Sequence, residues 1–483
     1  MKRLLILTLL ASSVACAFAA EIVLVYPRTD SLDAAFEYDA GLDSTFLLGR
    51  VIPPEGELLV NGHSIALTSE GAFVAWLPVR RNPEPEEWLL SFWAMGGDST
   101  ALRFAYVFRP TIEAAESSAA RFSPRVVRIT ATNAQIRTAP DGSYFVFPEP
   151  GCRLLATEHR QGFFTVRLGD GLEGAVDERW VAVEQDSQLP PAMLRDGYCR
   201  RRNAFSECVL GLDRTVPWFA EITDGGKTLQ VTLFDTKAAL NRIRYELDDA
   251  LLNEIAWMQR PEGVVLRVLC RRALAFGYRV AFEKDSLRIV LRGAPPAGKG
   301  VKGKTIVLDP GHGGSAAGAV GPLGTKEKDV VLRLAQQLEK ELERRGADVV
   351  LTRRADEELG LYERVDAARQ AQADLLLSLH ANALPDGENP LARNGSATYY
   401  YQAHSRAAAE VIHRHLLKAT ALRDDGLWYG NLALARCSEF PAVLVEAAYL
   451  IYPPEERLLR SDDFLRGLAK ALARGIDEYF EIH

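Results

Sequence analysis

Three short, nearly all-apolar runs in the last third of the chain do most to restrict its fold: Thr305-Ile306-Val307-Leu308, Leu375-Leu376-Leu377-Ser378-Leu379 and Ala442-Val443-Leu444-Val445. Runs this short and this apolar read as strands buried on both faces, since buried helices need more length. Between them the pattern changes to a helical period. From Asp329 to Arg345, Val331, Leu334, Ala335, Leu338 and Leu342 recur every three or four residues, and Gly346 ends the pattern. Similar stretches run around Tyr362 to Gln372, Ser405 to Ala419 and Phe464 to Phe480. Further strands are expected at Asp348 to Leu351, at Ala397 to Tyr401 and once more before Pro441. Strands that alternate with helices are joined by crossovers, which give parallel pairing. Residues 301–483 are therefore expected to form an α/β domain, a mostly parallel sheet covered by helices on both faces.

In sheets of this kind functional groups collect just beyond the carboxyl ends of the strands. His312 follows the first run through Asp309-Pro310-Gly311, His380 closes the second and Glu446 closes the third. A glutamate next to a buried strand is costly unless it is paired, hydrogen-bonded or bound to a metal. Glu327, just before the helix that starts near Asp329, can turn its carboxylate toward the same crevice. Two imidazoles and a carboxylate make an open zinc set whose fourth place holds water. Zinc lowers the pKa of that water to about 7, so hydroxide is available near neutral pH. A second carboxylate beside it can take the proton and pass it to a departing amine. These residue types suit hydrolysis of an unactivated amide, although their separation along the chain contains no local metal motif such as HExxH. Asn382 is expected to hydrogen-bond His380 or to touch substrate. His413 and His415 lie two apart on a helix, cannot face one another and are expected in solvent. His404, His63 and His159 receive no role. Arg353 and Arg364 are expected in structural ion pairs, with substrate carboxylates as the alternative partners.

The 483 residues are too many for one ordinary core and indicate roughly three domains. With 48% hydrophobic and 25% charged residues, the chain has the balance of a folded soluble protein. Its net charge of −7 sets nucleic acid aside, because phosphate binding asks for a basic face. Residues 1–20 read as an export signal: Lys2 and Arg3, the apolar stretch Leu4 to Val14, and Ala17-Phe18-Ala19 as a small-x-small cleavage site. The expected location is the periplasm or the cell exterior. Cys16 offers a second reading, a lipid anchor, but Ser13 stands where lipoproteins usually carry Leu. No other stretch reaches the roughly 18 apolar residues of a transmembrane helix. Once the signal is removed, Cys152, Cys199, Cys208, Cys270 and Cys437 remain, with no CxxC among them. Such spacing is neither a disulfide framework nor a thiolate zinc site. The favoured reading is buried thiols, with Cys199–Cys208 as the one bridge considered.

Ahead of residue 301 the chain shows short strands and turns. Within residues 21–115, Phe46-Leu47-Leu48-Gly49, Glu57-Leu58-Leu59-Val60 and Ala72-Phe73-Val74-Ala75-Trp76 are strand-like, and Asn61-Gly62 is a hairpin signal. This stretch resembles a bacterial immunoglobulin-like β-sandwich. Within residues 125–186, Val126 to Ile129, Phe163 to Leu168 and Gly174 to Val176 are strands. With Ile136-Arg137-Thr138-Ala139-Pro140 they resemble a bacterial SH3-type (SH3b) barrel, a family whose members often bind cell-wall peptides. Ala175 departs from that family, which usually carries Trp there. Residues 203–293, with strands at Leu229 to Phe234, Val264 to Leu269 and Leu287 to Leu291, are similar to the β-rich AMIN-like modules that precede wall amidases. That similarity implies envelope-protein contacts. Pro295-Pro296-Ala297-Gly298-Lys299-Gly300 then reads as a linker.

Residues 304–481 resemble the zinc-dependent N-acetylmuramoyl-L-alanine amidases of the amidase-3 family. The runs that carry the resemblance come in order: Val307-Leu308-Asp309-Pro310-Gly311-His312-Gly313-Gly314, Glu327-Lys328-Asp329, Leu351-Thr352-Arg353 with Asp356, Leu361 and Arg364, Ser378-Leu379-His380-Ala381-Asn382-Ala383, and Pro441 to Glu446. The resemblance implies Zn2+ held by His312, Glu327 and His380, with Glu446 as general acid/base. It also implies peptidoglycan as substrate, cut between N-acetylmuramic acid and the L-alanine of the stem peptide. Ala316 replaces an Asp common in the family and Tyr452 stands where Asn is frequent; both departures bear on substrate contacts. Some relatives hold an inhibitory helix over the metal in an insertion between the second histidine and the last glutamate. Asn382 to Pro441 leaves little room for one, so no such plug is expected. From the residues alone two rivals stay open: another zinc hydrolase of the same polymer, such as a peptidase, and a non-catalytic glycan-binding protein.

Overall fold

The computed structural model describes residues 19–27, 35–38, 42–79, 86–108, 122–202, 205–246, 248–293 and 300–482. Residues 1–18 of the stretch read as an export signal, Cys16 among them, and residues 294–299 of the stretch read as a linker lie outside the described residues. Ahead of residue 300 the described structure is strands, turns and two single turns of 3-10 helix.

Two sheets enclose the first core. One has the order Glu21–Tyr26, Ser44–Ile52, Ala72–Pro78; the other runs Phe36–Tyr38, Ser99–Phe108, Glu86–Ala94, Gly56–Val60, His63–Ile65. Leu47, Phe73, Trp88, Leu90 and Phe92 fill the space between them. Asn61 and Gly62 take φ of 47° and 83°. A two-residue hairpin demands positive φ at both positions, and these two residue types tolerate it. Seven strands between Arg125 and Val183 form the next sheet, around Val127, Ile136, Leu154, Val166 and Val176.

A five-stranded and a four-stranded sheet then share a third core. Its first strand, Ala192–Arg202, begins ahead of the stretch expected for this unit and pairs with Phe205–Leu212. That antiparallel pair puts Cys199 opposite Cys208, and the two are joined as a disulfide. The buried-thiol reading is thereby corrected for this pair, while Cys152, Cys270 and Cys437 are buried and free.

The C-terminal unit contains β1 (Thr305–Pro310), α1 (Glu327–Glu343), β2 (Asp348–Leu351), α2 (Leu361–Gln370), β3 (Leu375–Asn382), β4 (Ser396–Tyr400), α3 (Arg406–Thr420), β5 (Asp424–Tyr429), β6 (Ala442–Tyr449), α4 (Pro453–Arg460) and α5 (Asp462–Ile482). The sheet order is β2-β1-β3-β6-β4-β5. Neighbours are parallel except β6 and β4, so the sheet is mixed. The reason lies between β3 and β4. No helix carries the chain back across the sheet there, so β4 starts at the end where β3 stops and runs the other way. Ile306, Leu308, Leu377, Leu379, Val443 and Val445 pack on α1, α3 and α5. The alternate residues Val307, Leu376 and Ala442 face Val365 and Ala368 of α2 and the segment Leu434 to Phe440. Helix α4, opened by Pro453 and Pro454, was not evident from apolar spacing because it spans only eight residues.

The units touch one another directly. Arg292 pairs with Asp374 at 2.7 Å, Tyr278 Oη donates to Gln402 Oε1 at 3.1 Å, and Phe276 stacks on Phe480. No helix among the described residues is long and apolar enough to cross a membrane.

The Cys199–Cys208 bridge closes a short loop, so Cys208→Ser should lower the stability of the third unit by about 2–3 kcal/mol. Peptide mapping of protein folded under oxidising conditions should find the two cysteines joined. Alkylation of both thiols in folded protein would contradict the pairing.

Candidate active site

At the end of β1 the chain turns sharply through Gly311-His312-Gly313-Gly314. His312 has φ 59°, Gly313 128° and Gly314 58°. A side chain in this left-handed region costs about 1–2 kcal/mol, so the surroundings must hold His312 in place. Two buried guanidiniums do so. Arg353, just after β2, donates to the carbonyls of Pro310, Gly311 and Lys328, each at 2.8 Å. Arg364 on α2 donates to Pro310 O at 2.9 Å and His312 O at 2.7 Å, and pairs with Asp309 at 2.9 Å. Asp309 is fully buried and also accepts from Thr352 Oγ1 at 2.6 Å and Ser378 Oγ at 2.7 Å. Outside the turn, Asp356 accepts from Gly314 N at 2.8 Å and Lys328 Nζ at 2.6 Å. Arg364 is thus in an ion pair, while Arg353 mainly clamps carbonyls. Both direct their donors inward, away from any substrate carboxylate.

This turn delivers His312 to Glu327 and His380. Glu327 is the first residue of α1, which starts two residues earlier than its sequence suggested. His380 and Glu446 lie inside their strands, because β3 runs on to Asn382 and β6 to Tyr449. Their side chains point to the face that carries Leu376 and Ala442, and the two residues are register partners in neighbouring parallel strands. His312 Nε2 is 3.1 Å from one Glu327 oxygen and His380 Nδ1 is 2.9 Å from the other. One ligand atom from each of the three residues lies within 4.8 Å of the other two. Ala319 N at 2.8 Å and Ala381 N at 3.1 Å donate to the same carboxylate and fix it. A Cβ on Gly311 would overlap the His380 ring, and one on Gly318 would overlap Glu327 and His312. Only glycines let the backbone come this close. Two imidazoles and a carboxylate with a side left open are a donor set that can hold a metal ion.

Burial pushes the Glu327 carboxyl up, but hydrogen bonds from His312 and His380 outweigh it and hold the group well below the usual range. Burial pushes His380 down, yet the Glu327 hydrogen bond and the charges of Glu446 and Glu327 raise it to about 9. Metal binding to such a set releases protons from its ligands. Glu446 is lifted by burial to about 8; the His380 charge opposes the rise, and those of Glu327 and Asp425 add to it. Its Oε2 is buried without a hydrogen-bond partner among the described residues. Asp425 is held beside it by Tyr449 Oη at 2.6 Å and Arg393 Nε at 3.2 Å. Sequence reading missed Arg393 and Asp425, which stand in no motif and at the end of no apolar run.

The other expected residues fall as follows. Asn382 turns its Oδ1 to the Ala383 N–H at 2.9 Å rather than to His380. His413 is buried rather than solvated, because α3 sets it against the sheet, 3.1 Å from both Thr398 Oγ1 and Asp424 Oδ1. His415 is partly buried and contacts Glu478 at 2.7 Å. Tyr452 packs against the apolar cluster that the N-terminal sheet shares with Leu384, Tyr449 and Ile451. Helix α3, the one α-helix between Asn382 and Pro441, packs on the sheet face opposite His380.

Residues 306–478 match the amidase-3 family, described as N-acetylmuramoyl-L-alanine amidase. The uncharacterized protein YqiI of Bacillus subtilis (strain 168) is 32% identical over 199 residues, which cover 40% of this chain and 94% of YqiI. The chain belongs to the N-acetylmuramoyl-L-alanine amidase family. Another relative, N-acetylmuramoyl-L-alanine amidase LytC of the same organism, is 39% identical over 184 residues. That match covers 37% of this chain and 36% of LytC, so the chain spans about a third of that relative's length. The catalytic domain of CwlV, an N-acetylmuramoyl-L-alanine amidase from Bacillus (Paenibacillus) polymyxa var. colistinus, is 38% identical in sequence. Its solved structure aligns with a TM-score of 0.35, covering 37% of this chain and 99% of that one.

Removing one partner of a fully buried ion pair strands the other charge. Asp309→Ala should therefore cost this amidase unit about 3–5 kcal/mol. Thermal or urea unfolding of the purified variant measures the loss, and a change below about 1 kcal/mol would show that Asp309 does not anchor the turn.

Proposed function

We propose that this protein is a zinc-dependent amidase of the cell envelope that hydrolyses the bond between N-acetylmuramic acid and the L-alanine of the peptidoglycan stem. The observation that carries the reading is the convergence of His312, Glu327 and His380 within mutual reach, with Glu446 on the adjoining strand, its Oε2 buried without a hydrogen-bond partner among the described residues. Family membership supports it, and LytC and CwlV bear the name of that activity. The export signal in residues 1–20 would carry the chain to the compartment where this polymer lies. The three β units ahead of residue 300 are read as the immunoglobulin-like, SH3b-like and AMIN-like modules that their sequences resemble.

His312, Glu327 and His380 would hold Zn2+. When bound, zinc polarises the scissile carbonyl and makes water more acidic. The rest is the work of the chain. The Asp309–Arg364 pair and Arg353 hold His312 in its left-handed turn, and the amides of Ala319 and Ala381 orient Glu327. Glu446 accepts a proton from the attacking water and returns it to the L-alanine nitrogen as the C–N bond breaks. The lactyl group of the glycan leaves as a carboxylate and the peptide leaves with a free amino terminus. An acceptor oxygen with no partner among the described residues suits that proton transfer.

Glu446→Gln should keep one zinc per chain by metal analysis and lose about 10²–10⁴-fold in turnover, the contribution of a positioned acid/base. Full turnover in that variant removes Glu446 from the mechanism. EDTA should abolish activity and added zinc restore it. Mass spectrometry of digested sacculi should find new L-alanine amino termini. Cleavage inside the stem would replace the amidase reading with the peptidase one.

A further inference from the structure

We propose that the N-terminal β unit is a working part of the catalytic groove, positioning the rim segment 383–395 beside Glu446 through Asp386; the kinetic part of this inference rests on the amidase reading. The sheet of Glu21–Tyr26, Ser44–Ile52 and Ala72–Pro78 lays Val25, Phe46, Leu48 and Val74 on Leu384, Tyr449 and Ile451 of the amidase unit. At the edge of this apolar patch, Tyr26 Oη donates to the two Asp386 oxygens at 2.6 and 2.7 Å, and Thr45 Oγ1 donates at 3.0 Å. Arg50 Nη1 reaches the carbonyl of Leu323 at 2.8 Å. The contacts thus fall on both segments that border the candidate metal site: the one that leads into Glu327 and the one that leaves the His380 strand.

Segment 383–395 needs such support. It has no helix or strand of its own, and its backbone–backbone bonds are short-range, from Glu388 to Pro385 and from Ala392 and Arg393 to Asn389; its backbone ties beyond itself, from Gly395 N–H to Glu455 and from Arg423 to the Ala392 carbonyl, fall at its far end, away from Asp386. Loops with few bonds beyond themselves open easily unless something else holds them. The segment carries Glu388 and Arg393, paired at 2.5 Å, and Arg393 pairs with Asp425 at 3.2 Å. Tyr449 links the two sides. Its ring is fully buried in the patch against the N-terminal sheet, and its hydroxyl donates at 2.6 Å to Asp425, whose charge bears on Glu446. A unit that served only as a tether would need none of this. The exposed pairs of Glu70 with Arg457 and Arg460 could hold it as a tether, and surface pairs of that kind contribute little.

The experiment uses the full-length, zinc-loaded chain with Asp386→Ala, Asp386→Asn and Glu70→Ala. Its readouts are kinetics on a soluble muramyl-peptide and amide hydrogen exchange over residues 383–395. In Asp386→Ala, KM should rise by about tenfold or more with kcat nearly unchanged, as expected when hydrogen bonds to a charged group that orders a binding rim are lost. Zinc content should stay at one per chain and exchange over the segment should quicken. Asp386→Asn still accepts from both hydroxyls and should restore KM and protection. Glu70→Ala should match the parent. Unchanged KM or unchanged exchange in Asp386→Ala overturns the inference. So does a gain in activity, which would make the contact a restraint on the site. A parent chain that is inert on the muramyl-peptide counts against the amidase reading instead, and the exchange result alone then judges the positioning role.

Discussion

The buried pair between Asp309 and Arg364 is what the candidate site depends on. A carboxylate and a guanidinium without water are stable together only when every remaining donor and acceptor is satisfied. Here Thr352 and Ser378 occupy the free positions of Asp309, and Arg364 spends its other donors on the carbonyls of Pro310, His312 and Leu359. The pair ties the ends of β1, β2 and β3 to α2, and it holds His312 in a backbone conformation that a histidine would not adopt unaided. Strain at one residue is thus supported by a rigid network around it, the usual arrangement where a side chain must be aimed.

The two faces of the sheet have separate tasks. One is sealed by α1, α3 and α5, chiefly through apolar contact, with His413 and Thr420 of α3 bonded to Thr398 and Ser396 at its edge. The other carries α2 at one end and the polar cluster at the other, so alternate residues of β3 and β6 change from packing to chemistry along a single strand: Leu376, Ser378, His380 on one and Ala442, Leu444, Glu446 on its neighbour. Parallel pairing in register sets His380 next to Glu446. A shift of one residue in either strand would turn one of them into the apolar face. The extensive burial on that apolar face is therefore also what keeps the polar pair aligned.

Much of this was legible in the residues. Apolar runs of four or five and the helical spacing from Val331 to Leu342 mark β1, β3, β6 and α1, because burial on two faces or on one leaves a period in the sequence. His312, His380 and Glu446 stood out because a polar residue at the end of such a run needs a reason. The ends of the strands were less legible: pairing carries β3 and β6 past the last aliphatic residue, and hydrogen bonding to a neighbour leaves no mark in composition. Arg353, Arg364, Asp425 and Arg393 could be seen as charges but not as partners, since ion pairs between distant positions have no period. His413 was misjudged for the same reason. Thr398 and Asp424, which make its burial tolerable, come from strands on either side of α3.

The sequence alone determined the alternation of elements, the residue types available for chemistry and the family to which residues 306–478 belong, since each of these is written in local order. Only the tertiary structure decided that β4 runs against β6 and that an N-terminal sheet rests on the rim beside Glu446. These are contacts between residues far apart in the chain, chosen by which surfaces can be buried together.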